Sequence, residues 1–167
     1  MQFAKGTVSA VACAAVIAGA STLAFGSTFL KVDIPTLRKM SEAVVKARVV
    51  EVRSSWNAEG SAIFTYATLE VKGRLTGQAE DQLVVRIPGG TVGNFTSIME
   101  GAPELTVGDD VVAFIARWDD GAPMIAGYAQ GVSKLKTDAV GNALLHGGLA
   151  DGMPISELTK QLGRSDR

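Results

Sequence analysis

Ile63-Phe64-Thr65-Tyr66-Ala67-Thr68-Leu69-Glu70-Val71-Lys72-Gly73-Arg74-Leu75 is the stretch that decides the fold. Ile63, Thr65, Ala67, Leu69, Val71 and Leu75 share one parity, while Thr68, Glu70, Lys72 and Arg74 share the other. Side chains of a strand alternate between faces, so this pattern predicts a long strand with one covered and one wet face. Upstream, residues 43–53 place Val45, Ala47 and Val49 inward, after which the apolar positions move to Val50 and Val52. A change of parity inside one strand predicts a bulge or strong coiling. Asn57-Ala58-Glu59-Gly60 lies between the two runs and is turn-like, which makes them a hairpin.

Working outward, Leu83, Val85 and Ile87 predict a third strand, ended by Pro88-Gly89-Gly90. Residues 110–118 are apolar on both parities, which predicts a central strand covered on both sides. Asp119-Asp120-Gly121 is a turn signal, with a fifth strand expected over 124–129. Residues 132–137 and 142–146 are expected to form a last hairpin, and the long stretch 91–105 to be irregular. Two short helices flank the strands. One covers 34–42, with Asp33 as N-cap and Pro35 in its first turn, and the other covers 154–162, with Ile155, Leu158 and Leu162 on one face and Gly163 as its stop. Several strands without a βαβ rhythm predict a mainly β chain. The architecture expected is a small antiparallel OB-type barrel, with a sandwich as the alternative.

The ends of the chain set its address. Lys5 is followed by a short apolar run, and small residues stand at Ala18-Gly19-Ala20 and Ala24-Phe25-Gly26. The run is too short to span a bilayer, and the pattern is that of a secretory signal peptide over 1–26, cut after Ala20, Ala24 or Gly26. The expected product is secreted or periplasmic. It comprises the barrel over 27–150 and a C-terminal helix and tail over 151–167, and the mature chain is not expected to insert into a membrane. The whole chain has 16 basic and 17 acidic side chains, and the leader holds only Lys5. The mature protein is therefore slightly acidic, which argues against a nucleic-acid partner. Cys13, the one cysteine, lies in the leader and leaves the mature chain without disulfide or thiolate.

Ser41-Glu42-Ala43-Val44-Val45-Lys46-Ala47-Arg48-Val49-Val50-Glu51-Val52 resembles the opening strand of the netrin-like module, the OB-type barrel of the tissue inhibitors of metalloproteinases. Val71-Lys72-Gly73-Arg74-Leu75-Thr76-Gly77 and Val107-Gly108-Asp109-Asp110-Val111-Val112-Ala113-Phe114 are similar to that module's second-strand turn and later strand. Pro88-Gly89-Gly90-Thr91-Val92-Gly93, Gly101-Ala102-Pro103 and Gly127-Tyr128-Ala129-Gln130-Gly131 resemble, in this order, a group of exported bacterial proteins of unassigned function. The resemblance spans residues 33–137 and implies the barrel. It does not extend to the inhibitors' mechanism, because they chelate zinc through an N-terminal cysteine that this mature chain lacks.

Catalytic chemistry finds little support in the residues. His146 is the one histidine, and neither HExxH spacing nor a Gly-x-Ser-x-Gly elbow is present, which leaves no zinc site and no serine triad. Asp109-Asp110 and Asp119-Asp120 read as solvated turn carboxylates, although glycosidases do use carboxylate pairs. Gly89-Gly90-Thr91-Val92-Gly93 lacks the Lys-Ser/Thr of a P-loop. The expectation is a non-enzymatic module without cofactor or metal. It would recognise a protein through the first hairpin and the 88–103 loop, with Trp56, Phe64, Tyr66, Arg86, Gly89, Gly90, Thr91 and Pro103 as candidate binding residues. The alternatives are an envelope assembly component and a carboxylate-based enzyme acting on carbohydrate.

Overall fold

The computed structural model describes residues 31–138 and 141–165; the leader reading, with Cys13 and the cleavage positions, lies outside them. The chain is mainly β, with elements in the order α1 (Ile34–Lys39), β1 (Ala43–Trp56), β2 (Ile63–Gly77), β3 (Gln82–Pro88), β4 (Gly90–Val92), β5 (Phe95–Ser97), β6 (Asp110–Arg117), β7 (Pro123–Ile125), β8 (Val132–Thr137), β9 (Ala143–His146) and α2 (Ile155–Ser165). The main sheet is antiparallel in the order β3-β2-β1-β6-β8-β9, and β7 pairs with the other end of β6's β8 edge. β4 and β5 form a separate two-stranded ribbon.

The bulge expected near Val49 is present. Val49 pairs with Leu69 and Glu51 with Thr68, so Val50 is the extra residue and is exposed. Its consequence reaches the end of the strand. Before the bulge the odd positions Val45, Ala47 and Val49 face the core; after it the even positions do, and Val52 packs against the same core. Two further register shifts, between Val44 and Val45 and between Lys46 and Ala47, add to the coiling of the β1–β2 pair.

β6 is central, as its double apolar parity predicts. Val111, Ala113 and Ile115 join the core on the concave face, with Val45, Ala47, Leu69, Val85 and Ile87. Val112 and Phe114 point the other way, into a second core with Leu37, Leu145, Leu158 and Leu162. The two helices supply that second layer. α1 starts where the Asp33 carboxylate accepts from the Thr36 amide at 2.8 Å, and it ends where the Ser41 hydroxyl donates to the Arg38 carbonyl at 2.9 Å.

Several sequence expectations need correction. α1 stops at Lys39 rather than 42, because Ala43 is already paired in β1 with both Gly77 and Ile115. The fifth strand ends at Ile125 rather than 129. Gly127 is left-handed (φ 66°) and a Cβ on it would stand 2.8 Å from Leu37 Cδ1, while one on Gly131 would meet the Ala126 carbonyl, so the chain turns tightly through a 3-10 segment. Gly163 does not end α2; it stays helical and the helix runs to Ser165. The stretch 91–105 is not wholly irregular, since Gly93-Asn94 closes the β4–β5 hairpin.

The sheet is not closed by a backbone ladder, so a full barrel is not formed in that sense. Where β3 comes beside β7, side chains make the join. The Trp118 indole N–H donates to the Arg86 carbonyl at 3.2 Å, and the Arg86 guanidinium holds Asp120 through two bonds of 2.7 and 3.0 Å. Phe64 and Trp118 each carry that guanidinium over their rings at 5.3 Å. The edge of β3 is thereby covered, which guards against pairing with another chain.

Candidate functional site

Trp56 stands at the last position of β1, directly across from Ile63. Residues opposite one another in an antiparallel pair share a face, so the Val50 bulge places Trp56 on the concave side with Ile63, Ser54 and Thr65. Phe64 and Tyr66 fall on the outer side. The three aromatics that sequence proximity groups together are thus split by the pleat.

The β1–β2 turn is held by Asn57. Its side-chain oxygen accepts from the Ser61 and Ala62 amides at 2.8 and 3.0 Å, and its amide group donates to the Ser61 hydroxyl at 3.0 Å. The β4–β5 ribbon is fastened against this hairpin at its base. The Gly89 amide donates to the Ile63 carbonyl at 3.0 Å, and the Thr65 hydroxyl donates to the Gly89 carbonyl at 2.8 Å. A Cβ on Gly90 would lie 2.5 Å from both Ser54 Oγ and Thr65 Oγ1. Gly89 and Gly90 therefore serve close backbone approach, and Thr91 joins Thr96 across the ribbon through their hydroxyls at 3.1 Å.

This fastening brings Phe95 onto Trp56, edge to face, with ring centroids 5.6 Å apart. Phe95, Ile98, Met99 and Trp56 are 64, 89, 45 and 39% exposed, and together they form an apolar rim. Behind it lies a pocket of about 340 Å³ lined by Thr65, Ile87, Gly89, Met99 and Leu105 among others. Pro103 is buried in the ridge between this pocket and a neighbouring one.

The remaining candidates lie elsewhere. Arg86, Phe64, Trp118 and Asp120 make the join at the β3 edge, while Arg53 stands over the Tyr66 ring at 5.2 Å on the outer face. Phe95, Ile98 and Met99 were not among the residues that the sequence singles out. Nothing in an apolar residue states whether it will be covered, although the Gly93-Asn94 turn signal was present to place them on a hairpin.

Asp109, Asp110 and Asp120 of the two carboxylate pairs are engaged in ion pairs. Lys134 Nζ lies 2.8 Å from Asp109, and Arg48 lies 3.1 Å from Asp110. Burial raises the Asp109 carboxyl, but hydrogen bonds from Lys134 and from the Thr106 amide outweigh it and hold the group below its ordinary value. The Arg86 guanidinium and then the Ala122 amide lower Asp120 in the same way. Among the described residues no group of three or more His, Cys, Asp or Glu is placed to hold a metal ion, and no helix is long and apolar enough to cross a membrane. No family model matches the chain, and neither does any curated protein or solved structure.

Proposed function

We propose that this chain is an exported, non-enzymatic binding module on an OB-type, netrin-like framework, and that it recognises a protein through the rim formed by Trp56, Phe95, Ile98 and Met99. The observation that carries this reading is the edge-to-face Trp56–Phe95 pair, held in the open by two fastened hairpins. Rigid aromatic side chains give large contact area at low entropic cost, as hot spots require. The strand order β3-β2-β1-β6, with β7 beside both β6 and β3, supports the OB-type framework. The residues around the rim favour a protein over a lipid surface. Residues 91–100 contain Glu100 and no lysine or arginine, whereas membrane-surface segments carry cations beside their apolar face.

The test is affinity capture from the extracytoplasmic fraction of the host, comparing the wild type with Phe95→Ser and Trp56→Ala. The expected result is a reproducible protein partner whose recovery falls at least about fivefold for both variants, with melting temperatures little changed for Phe95→Ser. Equal recovery by the variants would overturn the role of the rim. Capture of nothing but the chain itself would favour an assembly component instead.

A further inference from the structure

On the other side of the 102–105 ridge lies a second pocket, of about 440 Å³, whose chemistry differs from that of the rim. Its floor is apolar, built from Ala102, Leu105, Ala129 and Val132. Its wall is cationic. Val132, Lys134 and Lys136 share one parity of β8, so the face that buries Val132 in the core continues into two lysines. His146 pairs directly with Lys134 across β9 and therefore stands on the same face.

Lys134, Lys136 and His146 thus bring three nitrogen-bearing side chains to the rim of one apolar pocket. Asp109 offsets Lys134 at 2.8 Å. Among the described residues the Lys136 ammonium and the His146 ring have no hydrogen-bond or ion-pair partner. The arrangement also limits which anion fits. The Gly147 amide donates to the Asp151 carboxylate at 2.8 Å and is not available to an anion in the pocket. With Asp109 offsetting Lys134 and Glu104 in the same lining, Lys136 is, among the described residues, the one cation left to face a ligand, which favours a single negative charge over two.

We propose that this pocket binds a small organic monocarboxylate, with its carboxylate between Lys136 and His146 and its hydrocarbon body over Leu105, Ala129 and Val132. The volume lies within the range of small-molecule sites, which are mostly apolar with a few placed polar groups. The site is separate from the aromatic rim and does not depend on the reading given to it.

The experiment is a titration of hexanoate into the full chain, followed by amide chemical shifts, with hexanamide and inorganic phosphate as comparison probes. Saturable shifts confined to residues 102–105, 129–136 and 144–148 are expected with hexanoate. Lys136→Met, an exposed position whose melting temperature should not move, is expected to weaken binding about tenfold, while Phe95→Ser leaves it unchanged. The proposal is overturned by the absence of saturable shifts, or by hexanamide or phosphate binding as well as hexanoate. It is equally overturned if Lys136→Met binds like the wild type, or if Phe95→Ser abolishes binding.

Discussion

Gly90 shows how a single residue can position a site. Its φ of 135° is one that L side chains rarely adopt, and two hydroxyls occupy the space a Cβ would need. Gly90→Ala is expected to lower unfolding stability by at least about 2 kcal/mol, measured by urea denaturation, and to detach the ribbon that carries Phe95. Asp120 gives the pH dependence at this scale. Its carboxyl is lowered below the ordinary 3.8, chiefly by the Arg86 hydrogen bond, so its contribution is complete above that ordinary value and is lost as pH falls through the depressed one. Stability curves of the wild type and Asp120→Asn should therefore run parallel from about pH 7 to 5 and converge below about pH 4.

For the elements, the Val50 bulge and the α2 stripe matter most. Deleting Val50 would restore simple alternation and turn Trp56 toward the outer face, away from Phe95. The expected outcome is a lower urea midpoint and a shift in Trp56 emission, read in a Trp118→Phe background. Leu158 and Leu162 are fully buried against Leu37, Val44 and Phe114, so Leu158→Ala should cost about 2 to 5 kcal/mol. α1 was legible from its Asp33 cap and apolar spacing, and α2 from apolar spacing alone. Their exact ends were not, because α1 is cut short by the pairing of Ala43 and because Gly163 had no turn to make. The strand expected over 124–129 stops at Ile125 for a related reason: Gly127 is left-handed and packs on Leu37, and Gly131 packs on the Ala126 carbonyl, which extended chain would not allow.

Across the whole molecule, one sheet carries two cores and joins its own edge through side chains. The join rests on Arg86, whose backbone oxygen takes the Trp118 indole and whose guanidinium is held by Asp120. Replacing Arg86 with Met should free the edge of β3. Faster hydrogen exchange at the amides of residues 83–87, relative to β1, is the expected readout, with concentration-dependent association as its companion. Arg86 was a candidate binding residue on sequence grounds, and the geometry gives it this internal work, because its partner Asp120 comes from a turn far away in the chain.

The mainly β class, the first hairpin with its bulge, the doubly covered β6 and the two flanking helices were all written into the chain locally. Each of these follows from periodicity or local turn chemistry within a few residues. The opposite faces of Trp56 and Phe64 follow from the same parities, whereas long-range packing was needed to leave the sheet's ladder open and to bring Phe95 onto Trp56. It alone also brought Lys136 and His146 to one pocket. Those long-range outcomes depend on register and on contacts between distant segments, and no local pattern encodes them.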